Sequence, residues 1–351
     1  MLLWLSVITA VLVLTAVVAG RDTRLAPFLV LLPALIAGKG TVRQTAFASV
    51  WVTLVVGASL IDTPLATVGG NLSVMVFAVL FSGLSIARAM ERIRREGEIT
   101  RLRSAAAELQ RQILRPFPLL TDQLLVHGLY EPVEEDSRVG GDIYEVVASP
   151  HGSRVLIADV QGKGLPAIGT AYAVLSAFRE AALTEPTLTA VVDSMENAVL
   201  RHNSFAAQVG DRERFVTALV LNVEAGPEAQ AVNCGHIPPH LLHGERVGPV
   251  LTRTPSVPLG LGSFADEPRI VEWFDFPRGS TLLLCTDGVT EARNRSGAFY
   301  PLDERLAAWR DVPPAELTQT VRTELRQHTG GTAQDDTAVL VVRRRAAAMP
   351  G

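Results

Sequence analysis

Residues 282–292 read LLLCTDGVTEA: an unbroken apolar run, then Thr286, Asp287 and Gly288. A short apolar run that stops at turn residues reads as a strand buried on both faces. An Asp beside a Gly at its end can project from a sharp turn without entering the core. Related patterns occur as VGGDIY at 139–144, IADVQGKGLPA at 157–167 and QDDTAVLVV at 334–342. Taken singly, each is ordinarily a turn. Together they put Asp142, Asp159, Asp287 and Asp335, with Asp336 next to it, beside apolar strands. Carboxylates that converge repel one another and raise their own pKa values unless cations neutralise them. Oxygen ligands without a His or Cys cluster point to Mg²⁺ or Mn²⁺ rather than zinc. Two such ions can activate one water for in-line attack on a phosphoryl group.

Outward from these motifs, strands are expected at 154–160, 215–223, 229–233, 270–274, 281–286 and 337–343, and helices at 165–183, 188–202, 303–309 and 315–328. Strand runs clustered between helical hairpins read as an α+β domain, here 116–344, with 345–351 as a disordered tail. Two other chemistries are excluded on residues. GGD at 140–142 opens a nucleotide-cyclase signature of the GGDEF type, but Ile143-Tyr144 replaces Glu-Phe; and Gly162-Lys163-Gly164 has neither the earlier glycine nor the Ser/Thr of a phosphate loop. Cys234 and Cys285 stand far apart, so no zinc site or disulfide framework is indicated and a reducing compartment fits.

The 351 residues are 48% hydrophobic and 19% charged, enough for about two domains with real cores. Only six charged side chains (Arg21, Asp22, Arg24, Lys39, Arg43, Asp62) fall within 1–87. Residues 88–351 carry a net acidic charge, which argues against nucleic acid as a partner. Apolar runs at 2–20, 25–38, 45–61 and 65–87 predict a transmembrane region of about four helices, with membrane lipid as its surroundings. The second run is short for a span of about 20 residues. It reads as a tilted or re-entrant segment, or as a helix whose Arg24 and Lys39 snorkel, so the count is four or three. No basic segment precedes 2–20, which argues against a cleaved signal peptide. Arg88, Arg92, Arg94, Arg95, Arg101 and Arg103 follow the last run, which predicts a multi-pass protein of the cytoplasmic membrane with its large C-terminal part in the cytoplasm. Residues 88–115 form a helical linker ending at Pro116, with Gly97 as a soft point. Ile99, Leu102, Ala106, Leu109 and Ile113 fall at a/d spacing. This seam reads equally as a short coiled coil joining a homodimer through 99–113 and as one amphipathic helix packed on the next domain.

In order along the chain, GGDxY, ADVxGKGxxA, RFVTA, NCGHxPP, PLGLG, LLLCTDGVTEARN and DDTAVLVVR resemble the bacterial metal-dependent protein phosphatases of the stage II sporulation protein E type, related to protein phosphatase 2C. The resemblance runs from about 108 to 344. It implies a central β-sandwich flanked by helices (α-β-β-α) with a site for two Mn²⁺ or Mg²⁺. It also implies hydrolysis of phosphoserine or phosphothreonine on a cytoplasmic regulatory protein, such as a STAS-type anti-sigma-factor antagonist. Carried over by position, Asp142 holds one ion, Asp159 bridges both, the Val160 carbonyl is a further ligand, and Asp287 and Asp335 hold the other ion. Which of Asp335 and Asp336 points inward is left open by the spacing. The sequence departs from the family at Gln161 (usually Ser), Glu145 (often Asp) and Cys234 (often Ala), none of them a metal ligand. Arg138, four residues before Asp142, reads first as a solvent-facing loop arginine and second as a bidentate ligand for the substrate phosphate. His236, between Gly235 and Pro238, is read as fixing a turn, and Lys163 and Gly164 as shaping the loop after Asp159. The rival reading is a catalytically silent membrane receptor whose phosphatase-like domain binds a phosphoprotein. The retention of mutually repelling acids at all four motifs argues against it.

Overall fold

The computed structural model describes residues 29–59, 68–131, 141–162, 165–265, 267–332 and 335–346. The apolar run 2–20, Arg138, Lys163, Gly164 and 347–351 lie outside them. Two compact units divide at Arg101 and Leu102.

In the first unit, helices α1 (Leu31–Ala37), α2 (Val42–Ser59) and α3 (Val68–Ile113) follow one another, α3 continuing into the second. Leu29, Val30, Val52, Val56 and Ala78 form their buried cluster. Of the four apolar runs, one yields a helix of spanning length among the described residues: Gly70–Arg101, with mean hydropathy 1.9, is long and apolar enough to cross a membrane, while Val42–Ala58 is apolar but shorter. Of the second run, described from Leu29, Leu31–Ala37 are α-helical, and the helix is capped at Gly38, ahead of Lys39 and Gly40. At that helix end the Arg92 guanidinium donates to the carbonyls of Ala37 (3.0 Å) and Gly40. Gly97 interrupts nothing. Ion pairs Arg92–Glu96 (2.9 Å), Arg94–Glu98 (3.2 Å) and Arg95–Glu91 (2.8 Å) bracket it on the surface of α3. The helix covers the 99–113 seam, whose side chains from 102 onward lie outside the described set.

The second unit is built on two antiparallel sheets. Strands β1 (Leu119–Leu120), β2 (Leu124–Glu131), β7 (His240–His243), β8 (Arg246–Pro249), β10 (Thr281–Cys285) and β11 (Thr337–Arg344) form one, in the order β1-β2-β11-β10-β7-β8. The other runs β3 (Asp142–Ser149), β4 (Gly152–Val160), β5 (Val216–Val223), β6 (Glu228–Cys234) and β9 (Glu272–Asp275). Strand β10 shows why its sequence lacks alternation. Leu282 and Leu284 join the core shared with β3 to β6, and Leu283 and Cys285 join a second core under the helices α7 (Leu302–Ala308) and α8 (Pro314–Thr329). Helices α4 (Leu165–Thr184) and α5 (Leu188–Gln208) pack on the other sheet through Val174, Phe178, Val192, Met195 and Val199. The layers are therefore α-β-β-α, the sandwich that the family resemblance implies and one form of the α+β class read from the strand and helix pattern. Arg345, assigned to the tail, still pairs, its N–H donating to the carbonyl of Gln123 at 2.9 Å.

A side-chain network ties α7 to α8. The Glu324 carboxylate accepts from Tyr300 Oη (2.8 Å), Arg305 Nε (2.7 Å) and Nη2 (2.8 Å), and Trp309 Nε1 (3.1 Å). These donors, the Arg305 guanidinium above all, hold its pKa at about 2. A carboxyl depressed in the folded state stabilises above its unfolded pKa of 4.5, and that stabilisation is lost as pH falls toward 2. Glu324→Gln is expected to cost about 2 kcal/mol in urea unfolding at pH 7. The gap from wild type should narrow at pH 3, and a gap independent of pH would overturn this assignment.

Candidate metal centre

Strand pairing alone brings the first two acids together. In the β3–β4 register Asp142 lies directly opposite Asp159, which puts two carboxyl groups on one face of the sheet. Close approach here needs glycine: a β-carbon at Gly141 would stand 2.7 Å from the Val160 carbonyl oxygen and 3.0 Å from Asp159 Oδ1. The other acids come from the opposite sheet. Asp287 opens the short α6 (Asp287–Thr290) directly after β10, and Asp335 and Asp336 immediately precede β11. The two loops touch backbone to backbone, since a β-carbon at Gly288 would fall 1.8 Å from the Asp336 carbonyl oxygen.

Hydrogen bonds cross between the sheets in both directions. Thr286 Oγ1 donates to Asp142 Oδ2 at 2.6 Å, and the Gly141 N–H donates to Asp336 Oδ2 at 3.0 Å. Asp335 Oδ1 accepts the Asp336 N–H at 2.9 Å. Asp336 is buried and Asp335 half-buried, so the pair divides its exposure between core and surface. Burial, then the Asp159 charge, holds the Asp142 pKa well above the ordinary carboxylate range. Asp159 rises to about 7 through burial and the charges of Asp287, Asp335 and Asp336. The charges that act on both acids are negative, so the donor set calls for cations. Among the described residues no three Asp, Glu, His or Cys side chains stand close enough to hold one ion as they are. The carboxyl groups are turned instead toward each other and toward N–H and O–H donors.

The buried His236 fixes a turn, as read from the sequence. Its N–H donates to Asn233 Oδ1 (2.8 Å), Asn233 Nδ2 donates to the His236 carbonyl (2.9 Å), and Nδ1 lies 3.1 Å from Thr217 Oγ1. Thr217 is the cross-strand neighbour of Asp159. Burial lowers the His236 pKa to about 4, so the ring is neutral at pH 7.

Sequence reasoning did not single out Thr286, although its place between a buried strand and Asp-Gly was the available signal. It also left unexplained the acid at 145. Glu145 is buried and takes the Arg179 guanidinium of α4 at 2.5 Å, with Arg115 at 3.8 Å. The same strand holds the chain entering the domain: Tyr144 Oη donates to the Arg115 carbonyl at 2.9 Å, and its ring stacks on Phe117.

A model of the family described as Stage II sporulation protein E (SpoIIE) matches residues 149–345. Among solved structures, the PP2C domain of SiaA from Pseudomonas aeruginosa superposes with a TM-score of 0.57 at 19% identity, over 71% of this chain and 98% of that one. The RsbU and RsbW domains of Rv1364c from Mycobacterium tuberculosis give 0.53 at 23% identity, over 66% of this chain and 62% of that one. The PP2C phosphatase domain of SpoIIE from Bacillus subtilis, solved with a fragment of its regulatory domain, gives 0.50 at 15% identity, over 64% of each chain. The last two matches span less than two thirds of those chains. At these identities the likenesses show the fold. Comparison with curated proteins gives no match.

Proposed function

Since the chain belongs to the Stage II sporulation protein E (SpoIIE) family, we propose that its second unit is a protein serine/threonine phosphatase whose carboxylates hold two divalent cations, Mn²⁺ or Mg²⁺. One observation carries this reading: acids from two sheets meet at one end of the sandwich, where burial and the neighbouring acids raise the pKa of Asp142 and Asp159. Asp142, Asp159 and the Val160 carbonyl serve one side of the site, and Asp287 and Asp335 the other. Bound there, the cations supply Lewis acidity and neutralise charge for hydrolysis of a phosphomonoester. The side chains present, orient and separate the ligand oxygens. Asp336 has a different duty, holding the Gly141 N–H and with it the start of β3.

The apolar helix Gly70–Arg101 supports a membrane anchor. The arginines that end it, and the bonds from Arg92 to the 37–40 segment, support one cytoplasmic side for Lys39, Arg43 and the phosphatase. On this reading further apolar runs add spans, three or four in all. The substrate is a phosphoserine or phosphothreonine of a cytoplasmic regulatory protein of the STAS kind, and the 99–113 seam pairs two chains.

The test is hydrolysis of a generic phosphate ester by the full chain in detergent. Turnover should require Mn²⁺ and vanish with chelator. Asp335→Asn should weaken the Mn²⁺ requirement curve by more than about tenfold. Asp336→Asn, whose amide oxygen still accepts from Gly141, should stay near wild type. Turnover that survives chelation would sink the cation reading, and the reverse ranking of the two variants would exchange their roles.

A further inference from the structure

We propose that the Thr286 hydroxyl is the positioning group that commits one oxygen of Asp142 to the protein and leaves the other to the cation, an inference that rests on the cation reading above. Thr286 is fully buried at the end of β10. Its Oγ1 receives the Ala338 N–H at 2.9 Å, and an N–H can only donate, so the hydroxyl is the acceptor there. Its single proton has two possible acceptors: Asp142 Oδ2 at 2.6 Å or the Ala338 carbonyl at 3.5 Å. That carbonyl is already served by the Thr286 N–H at 3.1 Å. The short bond to an acidic oxygen wins.

The choice of threonine follows. A β-branched residue has few χ1 rotamers, so the hydroxyl does not wander. The bond also joins the two halves of the site, because Thr286 directly follows β10 of one sheet and Asp142 opens β3 of the other. The Gly141–Asp336 bond repeats the crossing in the opposite direction. The spacing between the acids of the two sheets is thus set by hydrogen bonds before any ion arrives.

The experiment is calorimetric titration of Mn²⁺ into the full chain in detergent at pH 7.5, with Thr286→Val, which keeps the shape and removes the hydroxyl, and Thr286→Ser, which keeps the hydroxyl. Thr286→Val should weaken Mn²⁺ binding by about tenfold or more, and Thr286→Ser should recover most of it. Thermal melts in chelator establish that each variant folds. A folded Val variant with wild-type affinity overturns this proposal alone. No Mn²⁺ binding by the wild type overturns the cation reading and this proposal together. Should the Val variant fail to fold, the Mn²⁺-loaded wild-type crystal structure decides. Thr286 Oγ1 bonded to the Asp142 oxygen that faces away from the ion supports the assignment, and Thr286 turned away from Asp142 overturns it.

Discussion

Asp159→Asn is expected to cut metal-dependent hydrolysis by about three orders of magnitude and, in chelator at pH 8, to melt about 10 °C above wild type. Both effects have one cause. The fold holds the Asp159 pKa at about 7 against 3.8 in the free side chain, by burial and by the charges of Asp287, Asp335 and Asp336. An acid whose pKa is raised on folding contributes stability that is complete below its unfolded pKa and lost as pH rises through the folded one. In metal-free protein that loss sets in above about 4 and is complete above about 7, and it reaches about 3 to 4 kcal/mol. Asparagine imitates the protonated acid at every pH. The difference between variant and wild type should therefore be near zero at pH 4 and largest at pH 8. The buried His236, shifted by burial and not by Asp159, acts on both proteins alike, whereas Asp142, which the Asp159 charge pushes up, is relieved in the variant and widens the difference in the same direction. Added Mn²⁺ should stabilise the wild type and leave the variant much less changed. A variant no more stable than wild type at pH 8 in chelator would refute the electrostatic account of this site.

The second large effect is expected far from the chemistry. Arg154 is completely buried in β4, and its guanidinium donates to the carbonyls of Ala181 (3.2 Å), Ala182 (3.1 Å) and Pro186 (3.2 Å) at the end of α4. The last carbonyls of a helix lack partners within it. Here the shortage is sharper, because the residue four beyond Ala182 is Pro186, which has no N–H to give. A cation at a helix C-terminus also meets the negative end of its dipole. Against this stands the cost of burying a guanidinium, which methionine would avoid. Ala181 keeps a second donor, the Glu185 N–H at 2.9 Å, and Pro186 is exposed to water, so the balance rests mainly on the buried Ala182 carbonyl. At about 1 to 3 kcal/mol for a buried acceptor left without a partner, with the helix-end charge lost as well, Arg154→Met should lower the unfolding free energy by about 2 kcal/mol. Chemical denaturation measures it, and a Met variant as stable as wild type would show that desolvation, not pairing, dominates.

The central strands and the long helices were readable because their signals are local. The expectations at 154–160 and 337–343 differ from β4 and β11 by two residues and one, and those at 165–183 and 315–328 from α4 and α8 by one or two. What could not be read was non-local. Strand β2 carries Gly128, where a β-carbon would lie 2.0 Å from the Phe117 ring, so the residue that spoils its strand pattern is there to admit an aromatic side chain from another segment. Strand β3 contains Glu145, an acid no propensity scale would bury, and its partner Arg179 lies on α4. The hairpin of β7 and β8 is four residues a side, too short for a periodicity to show. At the site, the residue types of the carboxylates were legible, as were their places at strand ends. The donors that aim them, Thr286 and the Gly141 N–H, were not, since nothing in their own stretches says that the two sheets meet there.

Gly288 separates two kinds of selection within one dipeptide. On the proposed cation reading, Asp287 serves the chemistry and is free to drift in a descendant that no longer hydrolyses anything. Gly288 is kept by packing, because its α-carbon lies against the Asp336 carbonyl with no room for a methyl group. That constraint binds every descendant that still folds. A lineage turned to binding alone should then retain the glycine and lose the neighbouring acid. This chain retains both, as the proposed metal-dependent hydrolysis requires.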